Sequence, residues 1–206
     1  MSLPTVEALG RLRRMGKTVL TTGDAALHLG LTRSAATRTL SRLSAAGLVA
    51  SLRRGLWSLD PQIDPLLLPE HLTAPFPAYV SLLSALSLHG MISQVPRAIF
   101  VASLAPTRRV RTSVGEYSVH RLAPTFFGGF ETTRAGVRLA TPEKALLDTL
   151  YLAPARSRLF AALPEVEIPR AFDSGSARGW LSKIPPSPRR LAVERRLETL
   201  LSRGRR

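Results

Sequence analysis

Arginine is the side chain this sequence offers most often for chemistry, and much of it falls in clusters. Arg33, Arg38 and Arg42 follow one another within ten residues, Arg53-Arg54 are adjacent, and Arg108-Arg109 are followed by Arg111 and Arg121. A guanidinium is always charged and presents a planar fork of donors that matches phosphate oxygens or the edge of a guanine. Only Lys17, Lys144 and Lys183 among the 29 Lys+Arg are lysines. Set against 14 Asp+Glu, the basic residues give a net charge of +15 over 206 residues. A charge of that size points to a polyanionic partner: nucleic acid, an anionic membrane surface or an acidic protein.

Other chemistries find less to work with. The absence of cysteine excludes disulfides, thiolate metal sites and cysteine nucleophiles. His28, His71, His89 and His120 do not fall at metal-ligand spacing. Ser81, Ser84 and Ser87 read as positions within one helix, not as a G-x-S-x-G elbow. Gly128-Gly129 lacks the Lys-Ser/Thr of a phosphate-binding loop and reads as a turn or bulge. Glu143, Lys144 and Asp148 make an acid–lysine set, but a metal nuclease needs carboxylates that converge on a divalent ion. Here they share one helix, where Glu143 suits the N-terminal end and Lys144 and Asp148, at i and i+4, are expected to pair on the surface. No catalytic residue, metal or cofactor is therefore expected. No apolar run reaches the ~18–20 residues that span a bilayer, and the N-terminal arginines follow the apolar residues instead of preceding them. These features predict a cytoplasmic protein.

The elements that must carry the arginines follow from periodicity and caps. A helix is predicted over residues 3–15, capped by Ser2, with Leu3, Val6, Leu9, Leu12 and Met15 on one face. After the apolar Thr18-Val19-Leu20, a second helix runs from Thr22 to Leu29 and stops at Gly30. A third, capped by Thr32, runs from Arg33 to Ala46 and stops at Gly47. Leu48–Leu52, Arg53-Arg54-Gly55 and Leu56–Leu59 read as strand, turn and strand. Helix, turn, helix and basic hairpin, in that order, predict a winged helix-turn-helix over residues 1–60. Ala36, Leu40 and Leu43 form the core stripe of the third helix, and Ser34, Arg38, Ser41 and Ala45 lie opposite. A recognition helix presents its N-terminal residues to base edges. Arg33, Ser34, Thr37 and Arg38 are thus the predicted base readers. Thr22, Thr32, Ser41, Arg42, Arg53 and Arg54 are the predicted backbone contacts.

The rest of the chain predicts a different architecture. Proline-dense residues 61–77 read as a linker. Residues 78–153 read as a small mixed α/β domain. A helix from Tyr79 to His89 closes at Gly90, strands occupy residues 98–104, 116–122, 126–130 and 137–139, and a helix opens at Thr141-Pro142-Glu143. Residues 154–206 form a C-terminal extension with a short helix near 171–184 and a basic helix from Arg189 to Arg203. Arg108, Arg109, Arg111 and Arg121, with His120, predict a further basic patch. The fold class is α+β: an N-terminal winged helix, a mixed α/β domain and a basic helical extension.

Several segments of this second part form a pattern. Ala78-Tyr79-Val80-Ser81-Leu82-Leu83-Ser84-Ala85-Leu86, His89-Gly90, Gln94-Val95-Pro96, Ile99-Phe100-Val101 and Leu139-Ala140-Thr141-Pro142-Glu143-Lys144-Ala145-Leu146-Leu147-Asp148 resemble the AbiEi family of bacterial antitoxins. The resemblance covers most of residues 5–152. It implies a two-gene type IV toxin–antitoxin system of abortive phage defence. In that family the N-terminal winged helix represses its own promoter at inverted repeats, and the second domain opposes a nucleotidyltransferase-like toxin. The implied partners are double-stranded DNA and a cognate toxin, with a monomer or weak homodimer binding cooperatively and no membrane. The alternative is a protein-interaction module that binds and neutralises the toxin directly, with DNA binding secondary.

Overall fold

The computed structural model describes residues 4–153 and 165–203. The predicted cap Ser2 and the prolines Pro154 and Pro164 lie outside them. The protein is of mixed α+β class and divides into two compact units. One comprises residues 1–65 with 111–115, the other 66–110 with 116–206.

In the first unit α1 (Thr5–Arg13), α2 (Thr22–Leu29) and α3 (Arg33–Ala45) accompany a three-stranded sheet of β1 (Val19–Thr21), β2 (Ala50–Arg53) and β3 (Leu56–Ser58). The sheet order is β1-β3-β2 and both pairings are antiparallel. Ala8, Leu9 and Leu12 from α1 meet Ala25, Ala26 and Leu29 from α2, Ala36, Leu40 and Leu43 from α3, and Leu20, Val49, Trp57 and Leu59. Val6, predicted on the buried face of α1, is exposed instead. The inward positions of α1 are Ala8, Leu9 and Leu12, which fit a 3.6-residue turn better than a strict three-residue repeat.

The second unit is built on a six-stranded sheet in the order β6-β7-β5-β4-β9-β8. Its strands are β4 (Ala78–Val80), β5 (Ile99–Ser103), β6 (Arg108–Thr112), β7 (Gly115–Arg121), β8 (Phe130–Thr132) and β9 (Arg138–Ala140). β4 pairs antiparallel with β5 and parallel with β9, while β5 pairs parallel with β7. The proline-dense stretch forms a 3-10 turn, Pro65–Leu67, and the short helix α4 (Pro69–Thr73). Its Leu68 and Leu72 are buried in the second unit. Tyr79 and Val80, predicted as the start of a helix, belong to the central strand β4, and α5 (Leu82–Leu88) follows. A buried strand and a buried helix are equally apolar over three residues, so composition cannot separate them. Phe126 ends a 3-10 turn (Pro124–Phe126), and the strand predicted at 126–130 begins only at Phe130. Helix α6 (Pro142–Leu152), capped by the Thr141 hydroxyl, packs against α5, α7 (Ser174–Ser182) and α8 (Pro188–Arg203). With neighbours on several sides, nearly every residue of α6 is buried.

Candidate nucleic-acid interface

Two caps and one turn orient α3. Thr21 and Asp24 form a capping box at the start of α2. The Asp24 amide donates to Thr21 Oγ1 at 3.0 Å, and the Thr21 amide donates to Asp24 Oδ2 at 2.8 Å. The Thr21 hydroxyl bond is the largest influence holding the Asp24 carboxyl below the usual carboxylate range, with Lys17, 3.6 Å away, adding to it. Gly30 ends α2 at φ +65°, a left-handed conformation that costs glycine little. Thr32 then caps α3, accepting from the Ala35 amide at 3.3 Å.

The amphipathic split of α3 decides what it can present. Ala36, Thr39, Leu40 and Leu43 are buried, and Arg33, Ser34, Thr37, Arg38, Ser41, Arg42 and Ala45 are exposed. Burying the first set against α1 and α2 leaves the second set as one continuous polar face. The guanidinium groups of Arg38 and Arg42 make no hydrogen bond or ion pair among the described residues. Arg33 is placed differently. Its Nη2 lies 3.3 Å from where a Cβ on Gly23 would stand, so it rests on the first turn of α2.

The hairpin is tied to the same end of the unit. The Thr22 amide donates to Gly55 O at 3.0 Å, and the Trp57 indole Nε1 donates to Thr22 Oγ1 at 2.9 Å. Between Ser51 and Arg53 the pairing of β2 with β3 shifts by one residue, a bulge that buries Leu52. Arg53 and Arg54 are exposed at the tip, and neither guanidinium has a partner among the described residues. The Thr22 and Thr32 hydroxyls, predicted as phosphate contacts, already serve the Trp57 indole and the α3 cap respectively. Gly23 and Trp57 were not singled out by sequence. The signal for both is long-range: a missing side chain and an indole donor have meaning only once α2, α3 and β3 are assembled.

The four arginines of the basic patch predicted on the second domain lie on the neighbouring strands β6 and β7. Arg111 falls in the first unit, where the Ser113 amide donates to Leu52 O at 2.9 Å. The Arg108 guanidinium donates to Leu72 O at 2.9 Å. Arg108, Arg109, Arg111 and Arg121 are all exposed. His120 is buried, 2.8 Å from Ser118 Oγ and stacked on Phe100. Burial, with Arg109 adding repulsion, lowers its pKa to about 4, so the ring is neutral at physiological pH.

The acid–lysine set also differs from its expectation. Lys144 and Asp148 pair, as their spacing predicts, but both side chains are fully buried. Asp148 Oδ2 accepts from Ser81 at 2.7 Å and from Tyr79 at 2.9 Å, and Lys144 Nζ donates to Tyr79 Oη at 3.0 Å. The ammonium sits 4.0 Å from the Phe126 ring centroid and 5.0 Å from that of Trp180. Burial pulls Lys144 below the usual lysine range and pushes Asp148 above the usual carboxylate range, each opposed by the partner's charge. Burial, then the Asp148 charge, raises Tyr79. Glu143 accepts from the Asp173 amide at 2.9 Å. Ser81 stands at the corner between β4 and α5, outside the helix, with Leu82 at φ +55°. The apolar Ala145-Leu146-Leu147 and Leu150-Tyr151 around the pair were the available signal, because a helix apolar on most sides is buried.

Among the described residues no buried side-chain nitrogen or oxygen lacks a partner, and no group of three His, Asp or Glu could hold a metal. No described helix is long and apolar enough to cross a membrane. No family model matches the chain, and no curated protein matches it significantly.

Proposed function

We propose that the first unit is a winged helix-turn-helix and that the protein binds duplex DNA in a sequence-specific, non-catalytic way. The exposed face of α3 carries this reading: seven outward positions, three of them arginine and none acidic, backed by a fully apolar inner face apart from Thr39. α3 is the recognition helix and enters the major groove. The β2–β3 hairpin is the wing, with Arg53 and Arg54 on phosphates beside it.

The mechanism is promoter occlusion. Two copies, as a weak dimer or as cooperating monomers, place their recognition helices in successive major grooves ~34 Å apart, or a multiple of that, on an inverted repeat. The resemblance of residues 78–148 to AbiEi antitoxins extends this to an autorepressor in the cytoplasm paired with a nucleotidyltransferase-like toxin. The Thr141–Asp148 segment is part of that resemblance. Its Lys144 and Asp148 are spent inside the core, so the motif contributes packing and leaves recognition to the exposed arginines.

The test is a gel-shift titration of the DNA upstream of the protein's own gene against scrambled DNA at two salt concentrations. A specificity ratio of ~10³ or more is expected, and footprinting then locates the repeats. Equal, steeply salt-dependent binding to both probes overturns the repressor and makes the charge a non-specific device. A toxin complex that persists without DNA would favour the interaction module instead.

A further inference from the structure

We propose that Arg38 is the one long side chain of the interface that reads a base, so that each half-site is keyed by a single guanine. This rests on the duplex-DNA reading of the first unit and narrows it.

Three observations separate Arg38 from the other exposed residues at the start of α3. The first is the direction of Arg33. Its guanidinium folds back over α2, with Nη2 3.3 Å and Cζ 4.0 Å from the position a Cβ on Gly23 would take. Gly23 follows Thr22, whose amide is bound to Gly55 at the hairpin tip. Arg33 therefore rests on the first turn of α2, beside the residue that is bonded to the hairpin. A Cβ at 23 would press on the guanidinium there.

The second observation concerns the short side chains. Thr37 Oγ1 donates its hydrogen to Arg33 O at 2.9 Å. Ser34 Oγ lies 3.2 Å from Thr32 Oγ1, which is itself engaged by the Ala35 amide. With its hydrogen placed, the Thr37 hydroxyl keeps only acceptor capacity, and Ser and Thr discriminate bases weakly in any case. The Thr37 methyl remains for apolar contact, which favours thymine.

The third observation is the freedom of Arg38. It stands about one turn beyond Ser34 on the outward face, is exposed, and has no partner among the described residues. Arg42 shares that freedom but lies a further turn toward the C-terminus, away from the end of the helix that meets the bases. A guanidinium held on a helix and otherwise unbonded is suited to bridge guanine O6 and N7.

The experiment is selection from a random duplex library with the full-length protein, run in parallel for wild type, Arg33→Ala, Arg38→Ala and Arg38→Lys. Wild type should enrich a motif in which one guanine per half-site dominates, with replacement of that base costing about 5- to 150-fold in affinity. Arg38→Ala should lose that guanine and keep the rest of the motif. Arg38→Lys should keep the salt dependence of binding and weaken the guanine preference, because an ammonium cannot span both acceptors as a fork. Arg33→Ala should return the wild-type motif with uniformly weaker binding and a salt slope smaller by about one. A motif position lost in Arg33→Ala, or a guanine retained in Arg38→Ala, overturns the assignment while leaving DNA recognition intact. Failure of wild type to enrich any motif overturns both.

Discussion

Replacing one member of the Lys144–Asp148 pair should destabilise the protein far more than replacing both. The two side chains are fully buried and bonded to each other, with Tyr79 and Ser81 as the remaining polar neighbours of Asp148. Lys144→Met leaves a buried carboxylate with two hydroxyl donors and no countercharge. Asp148→Asn leaves a buried ammonium facing an amide oxygen. Breaking a buried pair from one side costs about 3–5 kcal/mol, because the surviving charge must stay desolvated or neutralise. The double variant removes both charges while the side-chain amide introduced by Asp148→Asn still offers an acceptor to Tyr79 and Ser81, so it avoids that cost. In a chain of this size each kcal/mol moves the midpoint by roughly 2–4 °C, so the single variants should melt roughly 6–20 °C below wild type. The double variant should lie closer to wild type than either single one, with a coupling energy of about 2 kcal/mol or more. The assay is urea unfolding followed by far-ultraviolet circular dichroism for all four proteins. Additivity within ~0.5 kcal/mol would refute the reasoning, as would a Lys144→Met cost below ~1 kcal/mol. Either result would mean that water reaches the pair and that the motif is accessible after all.

Three further outcomes are expected. His120 falls from its ordinary pKa of 6.5 to about 4 on folding, so the unfolded chain binds the extra proton between these values. Its contribution is complete above about pH 6.5 and is lost as pH falls toward 4, up to about 3 kcal/mol in all. Urea midpoints of His120→Gln against pH should lack this part of the acid sensitivity; an unchanged profile would remove His120 as its source. Gly129→Ala should cost clearly more than Gly47→Ala. Both sites have positive φ, but a Cβ at 129 would stand 2.7 Å from the Trp180 ring and 2.8 Å from Lys144 Cγ, whereas at 47 it meets nothing within 4 Å. Left-handed strain alone is about 1–2 kcal/mol, and equal melting temperatures for the two variants would contradict the close packing of Trp180. Arg53→Ala with Arg54→Ala should weaken binding to any DNA sequence and flatten the salt slope by up to ~2 units. An unchanged slope in titrations at several salt concentrations would remove the hairpin from the contact set.

The sequence by itself determined what depends on neighbours along the chain. The caps at Thr32 and Thr141, the stops at Gly30 and Gly47 and the inner stripe of Ala36, Leu40 and Leu43 follow from 3.6-residue periodicity and local hydrogen bonding. The outward face of α3 follows from the same period, so the candidate base readers were legible as a set. Which of them faces what was not. Arg33 rests against Gly23, which lies a full helix earlier in the chain. Leu52 accepts from Ser113, which is remote in sequence and falls in the same compact unit. Ala78–Val80 becomes a strand because β5 and β9 flank it. Lys144 and Asp148 satisfy the i, i+4 rule on either a wet or a dry face. Only the packing of α5, α7 and α8 around α6 decided that the face is dry, because desolvation is a property of everything that surrounds a charge and not of the residues beside it in sequence.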